Sequence, residues 1–242
     1  NKTRYEYDGT GRQTATIDPN GNRSTTSYDA TGQVTASTDA DGIAQNHVYD
    51  ALAEPVKEIQ ASGATIDRTY DHAGNVIQID NHVDLPTSYG YDSAGRQTST
   101  TQGSHQTSTS YDGAGNIAAS TDELGNTTRY SYTADGNLAS QTNPAGGVTS
   151  YTYTPTGQVA TRTDPNGGKT TYSYDALDQL IKLTAPNGGV TSYTYDAVGH
   201  ITRTVSPDGG VTKQDYDAVG NLVARTDPLG NTTRYGYDKA NH

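Results

Sequence analysis

YDAVGNLVARTDPLGNTTRYGYD, residues 216–238, opens with Tyr-Asp and returns to Tyr-Asp after twenty-one residues. The rest of the chain is this unit with variations. Tyr-Asp or Tyr-Thr pairs begin at Tyr7, Tyr28, Tyr49, Tyr70, Tyr91, Tyr111, Tyr132, Tyr153, Tyr174, Tyr195, Tyr216 and Tyr237. Ten of the eleven intervals are twenty-one residues and one, Tyr91 to Tyr111, is twenty. A fixed period of this size marks a repeat architecture. All nineteen tyrosines obey it: those outside the pairs (Tyr5, Tyr89, Tyr130, Tyr151, Tyr172, Tyr193, Tyr235) lie two residues before one.

With the paired Tyr as position 0, Asp at +1 and Gly at +4 frame a four-residue turn, as in Asp217-Ala218-Val219-Gly220. An aliphatic residue follows at +6, among them Val34, Val76, Ile117, Leu138, Val159, Leu180, Ile201 and Leu222. A second turn comes next, as in Asp18-Pro19-Asn20-Gly21, Asp164-Pro165-Asn166-Gly167 and Asp227-Pro228-Leu229-Gly230. Asp, Pro and Gly there occupy the first, second and fourth places of a type I turn. The strand after it alternates Thr, Tyr, Tyr, as in Thr128-Arg129-Tyr130-Ser131-Tyr132. Period-2 segments between turn signals give an all-β antiparallel meander of β-hairpins, with about twenty-two to twenty-four strands expected.

If the +4 Gly is left-handed and forms a bulge, position 0 pairs with +6. Tyr132 then faces Leu138, Tyr130 faces Ser140 and Thr128 faces Thr142. Because side chains alternate faces, an odd period demands a correction. The sequence reading places it in the turns: a bulged first turn and an unbulged or differently bulged second one. The short interval omits a residue within Thr101–Gln106, in the second turn. Ala53, Asp178 and Asn241 replace the +4 Gly, and Pro55 replaces the +6 aliphatic, which suggests an edge or distorted strand. A sheet of this many strands must coil, so that later hairpins stack on earlier ones.

Composition limits the function. Hydrophobic residues are 31%, with no Phe, Trp, Met or Cys, against roughly 45–50% in ordinary domains. That and a net charge of −11 would also fit a disordered chain, but disorder gives Tyr no reason to keep register. Tyr takes the packing role of Phe and Leu. The acidic excess disfavours nucleic acid, which needs a basic surface. Its source is turn chemistry, because Asp follows the repeat Tyr at ten of twelve positions and opens the second turn at Asp18, Asp39, Asp122, Asp164 and Asp227. No apolar run approaches the ~20 residues of a membrane span. Zero Cys excludes disulfides and thiolate metal sites.

The motif Y-D-x-x-G-[NRQ]-[LIV]…T-D-P-x-G…T-x-Y-x-Y-D resembles the YD repeat, also called the RHS repeat, over essentially all of residues 1–242. That family includes bacterial Rhs polymorphic toxins, the B and C components of insecticidal toxin complexes, wall-associated proteins and animal teneurins. The resemblance implies a β-hairpin strip that spirals into a hollow shell, which in the toxins encloses a C-terminal toxic polypeptide. The self-cleaving segment and toxin domain of that family have no counterpart here. The chain is therefore expected to be a single array of about eleven full repeats, incomplete at both ends, from a longer protein that is secreted or displayed on a bacterial surface.

No catalytic constellation emerges. Asp39-Ala40-Asp41-Gly42 has part of a calcium-loop pattern but falls on the second turn of the repeat. Gly168-Lys169-Thr170 lacks the first Gly of a phosphate loop, since position 163 is Thr. The six histidines (His47, His72, His82, His105, His200, His242) recur at no metal-binding spacing. Asn22-Arg23-Ser24, Asn126-Thr127-Thr128 and Asn231-Thr232-Thr233 fit a glycosylation sequon but lie in Asn-rich turns. No catalytic residue, metal ligand or cofactor is expected, and ligand-binding residues are unknown. The expected role is a non-catalytic scaffold, a wall segment enclosing toxin or other polypeptide cargo from its own chain. The alternative is an adhesin or filament that contacts copies of itself or surface glycans.

Overall fold

The computed structural model describes residues 2–238, which form twenty-three β-strands and no helix. Asn241 and His242 lie outside the described residues. Each repeat supplies a return strand that starts at +6, such as Leu138–Thr142, and a Tyr strand that ends at the next Tyr, such as Val148–Tyr153. Every recorded pairing is antiparallel and joins strands adjacent in sequence.

Contacts group the chain into two units, one of residues Asn1–Ser110 and Ser120–Asn126, the other of residues Tyr111–Ala119 and Thr127–His242. In the first unit the strands from Arg4–Tyr7 to His105–Tyr111 pair in order. In the second, the strands from Thr127–Tyr132 to Thr232–Arg234 do the same. Within each unit, among the described residues, strands touch only their sequence neighbours, and no later hairpin lies on an earlier one. Each unit is therefore a single layer. Among the described residues only Ala15 and Ala224 are buried, at 2% and 4% exposure. With so little core, the ladders and turns must carry much of the order.

Both turns have one geometry. Gly220 donates to the Asp217 carbonyl at 3.1 Å and Asp217 donates to the Asn221 carbonyl at 2.9 Å. The second turn repeats this, with Gly230 donating to Asp227 at 3.0 Å and Asp227 to Asn231 at 2.9 Å. Gly220 has φ 93 and Gly230 φ 87. The expected difference between the turns is thus wrong. The odd residue sits in the return strand instead. Tyr132 pairs with Leu138 as expected, but Ser131 pairs with Ser140, leaving Ala139 as a one-residue bulge. Tyr130 consequently faces Gln141, not Ser140, and Arg129 faces Thr142 in place of Thr128. The same bulge recurs at +7 in hairpins of both units, for example at Thr35, Ile77, Ala160, Ile181 and Val223. Two like turns preserve parity, and the bulge shifts it once, which returns each Tyr to its face after twenty-one residues.

Irregular repeats keep this register. Between Tyr91 and Tyr111, Gln102 pairs directly with His105 across a two-residue turn, so the missing residue comes from the second turn as expected. Ala53 and Asp178 hold the +4 position at φ 74 and φ 60. Pro55 opens the strand Pro55–Ile59, which is paired on both sides and is not an edge. A first position in a strand tolerates the missing N–H. Ala53→Gly is expected to stabilise the first unit by about 1 kcal/mol, the cost of a left-handed Ala. A rise in the thermal midpoint checks this.

Candidate functional site

The repeated Asp is consumed by its turn. Asp217 Oδ1 accepts the backbone N–H groups of Val219 at 3.0 Å and Asn221 at 2.9 Å, and Oδ2 accepts the Asn221 amide at 3.0 Å. Asp8, Asp71, Asp92 and Asp196 accept in the same way, with Arg12, Asn75, Arg96 and His200 as the +5 partner. Second turns follow suit. Asp39, of the calcium-like stretch, accepts from Asp41 and Ile43, and the sequon residues Asn22, Asn126 and Asn231 donate to Asp18, Asp122 and Asp227.

These bonds favour the ionised carboxylate. The Asn22 amide holds Asp18 below the usual carboxylate range, Thr31 does so for Asp29, and Asn231 for Asp227. A folded value below the unfolded one means that the stabilisation is present above the unfolded value and lost as pH falls toward the folded one. The chain is expected to keep constant stability from neutral pH down to about pH 5, then to lose it progressively below about pH 4. Urea midpoints across that range test this, and a flat profile down to pH 2.5 would refute it.

The Tyr at position 0 does more than pack. Its hydroxyl donates to the carbonyl of the +6 residue one repeat earlier. Tyr153 reaches Leu138 at 2.8 Å, Tyr174 reaches Val159 at 2.9 Å, Tyr195 reaches Leu180 at 2.8 Å and Tyr49 reaches Val34 at 2.9 Å. The ladder between Leu138–Thr142 and Val148–Tyr153 stops at Ser140 and Ser150. The Leu138 carbonyl lies two residues beyond that end, and Tyr153 satisfies it. Phe could pack there but could not make this bond. From the sequence, Tyr had two readings, packing and a sugar-binding platform, with packing favoured, and neither included this bond; the absence of Phe was the available signal.

The +5 side chain covers the next Tyr. Arg12 lies 4.9 Å from the Tyr28 ring centre and donates to the Asp29 carbonyl at 2.9 Å. His200 stacks on Tyr216 with centroids 4.5 Å apart. Open notches lie between successive first turns at this same register position, each floored by a repeat Tyr. The other described histidines are dispersed. His82 meets Asp67 at 3.0 Å and Asp80 at 3.5 Å, and His105 meets Glu123 at 3.2 Å. Lys169 and Thr170 lie in the strand Lys169–Tyr174, with no helix after the Gly pair.

The two-turn hairpin, the strand bulge and the Tyr-to-carbonyl tie define a YD-type β-repeat wall without a core of its own. The chain belongs to the teneurin YD-shell family, whose pattern matches residues 49–241. The RHS repeat matches residues 1–23 and 7–44. Among solved structures, the chain is similar to the complex TcdB2-TccC3-Cdc42 at 18% identity and TM-score 0.64, over 99% of this chain and 15% of the other. TcdB2-TccC3-TEV matches at 19% identity and TM-score 0.62, over 98% and 15%. TcdB2-TccC3 without its hypervariable C-terminal region matches at 17% identity and TM-score 0.61, over 93% and 14%. The chain thus spans about 15% of the length of the structures it matches. No curated protein matches it.

Proposed function

We propose that this chain is a structural wall segment of a β-shell that encloses a polypeptide, within a protein secreted or displayed by a bacterium. The observation that carries this reading is the tie between hairpins. Within each unit, consecutive repeats join through a paired ladder and, in most of them, a Tyr hydroxyl, with almost nothing buried inside the layer among the described residues. Such a layer extends by addition of repeats and has two broad faces, as a wall requires. Membership of the YD-shell family supports the same reading. The likeness to the solved TcdB2-TccC3 structures supports the fold of such a wall. The role is mechanical, and the candidate residues are the turn Asp, the +4 Gly and the repeat Tyr.

Electron cryomicroscopy of the longest natural protein containing these repeats tests the proposal. The expected result is a closed wall around polypeptide density, with an internal segment that resists protease until the wall is unfolded. An open filament, or a closed but empty wall, would overturn it.

A further inference from the structure

Three of the notches between first turns differ in what lines them. Between Asp50 and His72 the walls carry three carboxylates, Asp50, Glu54 and Asp71, against one guanidinium, Arg68, and Glu54 is raised above the usual carboxylate range by burial and by repulsion from Asp50 and Asp71. That notch is anionic. Between Asp196 and Gly220 the His200 ring lies on the Tyr216 floor. The notch between Thr133 and Gly157, about 630 Å³ in volume, has neither feature. Its size falls within the roughly 300–1,000 Å³ of small-molecule sites.

The cause is a pair of departures from the repeat. Thr133 and Thr154 stand where ten repeats have Asp. Thr133 Oγ1 accepts the Asn137 backbone N–H at 3.1 Å, and Thr154 does the same for Gln158 at 3.1 Å. A hydroxyl has no second oxygen for the +5 side chain. Elsewhere that oxygen takes the amide, as Asp71 takes Asn75 at 3.0 Å. Here the Asn137 amide makes no hydrogen bond among the described residues and lies in the notch wall. Asp135 stands exposed on the same rim. The floor is Tyr151 and Tyr153, and Tyr153 is fixed by its bond to Leu138.

The geometry points to a binding site for a neutral pyranose sugar in this notch. A ring-fixed Tyr offers an apolar face for the C–H side of a pyranose, with a polar edge beside it. A free amide and an exposed carboxylate supply two donors and several acceptors, the set that vicinal hydroxyls need. The lack of a cation in the lining gives an anionic ligand no partner. The site does not depend on whether the wall closes around cargo.

Saturation-transfer NMR on the 242-residue chain tests this, with methyl glucopyranosides, galactopyranosides and mannopyranosides as free sugars and cellobiose as a glycan fragment. The expected result is transfer to at least one probe with an affinity on the order of 1 mM. Stronger transfer to cellobiose than to every monosaccharide identifies a glycan chain as the natural form, and the reverse identifies free sugar. Thr133→Asp restores the common residue, which captures the Asn137 amide, and is expected to weaken binding by about tenfold or more with an unchanged β-sheet spectrum. Thr133→Ser should retain it. Absence of transfer to all probes, or equal binding by Thr133→Asp, overturns the site.

Discussion

Replacing Gly220 by Val is expected to destabilise the protein by about 1–3 kcal/mol. Gly220 has φ 93 in the first turn of its repeat, a region that a β-branched residue rarely enters. A Cβ there would also meet His200 Cε1 and Nε2 at 3.2 Å. His200 has little freedom to withdraw, because it is bonded to Asp196 at 2.9 Å and stacked on Tyr216. Gly157 provides the comparison. It has φ 88 and nothing within 4 Å of an added Cβ. Gly157→Val therefore reports the backbone cost alone, and the excess in Gly220→Val reports the ring. Chemical denaturation of the two variants measures both. A neutral Gly220→Val would be incompatible with a left-handed +4 position, and a Gly157→Val cost larger than that of Gly220→Val would remove the role given to His200.

The same turn shows why much of this fold was readable. Asp217, Gly220, Asp227 and Gly230 each carry a local requirement that only a few residue types meet: a side chain that accepts neighbouring N–H groups, or a backbone that tolerates positive φ. Local chemistry of this kind is written in residue identity. The pairing of Tyr132 with Leu138 followed from it, since a turn fixes the first rung. The bulge was not written that way. Position +7 is Ala139 in one repeat, Ile77 in another and Thr35 in a third, so no side chain marks it. Only the odd period required a correction, and placing it in a turn or in a strand satisfied parity equally well. The likeness of the two Asp…Gly frames already favoured like turns, and the strand bulge is what remains once they are equal.

The candidate sugar notch was less legible for a related reason. In the sequence Thr133 and Thr154 are simply the Tyr-Thr variants of the pair, and their effect appears only through the amide that a missing carboxylate leaves free. Two facts four residues apart had to be joined across a turn whose geometry the sequence did not state. The Tyr tie needed more distance still. Its partners lie fifteen residues apart on strands that meet only after the second turn has closed.

Tyr195→Ala is expected to cost about 2–3 kcal/mol, from lost apolar burial together with a lost hydrogen bond. Tyr195 is half-buried and its hydroxyl donates to Leu180 at 2.8 Å, so truncation removes ring contact and leaves that carbonyl without its donor. Thr194, one residue earlier, is exposed on the opposite face, and Thr194→Ala should stay within about 0.5 kcal/mol. Equal costs would mean that both faces are covered in solution. Tyr195→Phe separates the two contributions: it keeps the ring and should lose about 1 kcal/mol. Tyr193 is the internal control, since its hydroxyl makes no hydrogen bond among the described residues. Tyr193→Phe should be nearly neutral. If both Phe variants are neutral, the absence of Phe from all nineteen aromatic positions has no basis in the tie. If only Tyr195→Phe is costly, the tie is a working bond between consecutive hairpins. Its cost should then appear as local opening between adjacent repeats, because in a repeat array each unit is stabilised through its neighbours. Amide hydrogen exchange at the return strand Leu180–Thr184 would register that opening before any global unfolding is detected.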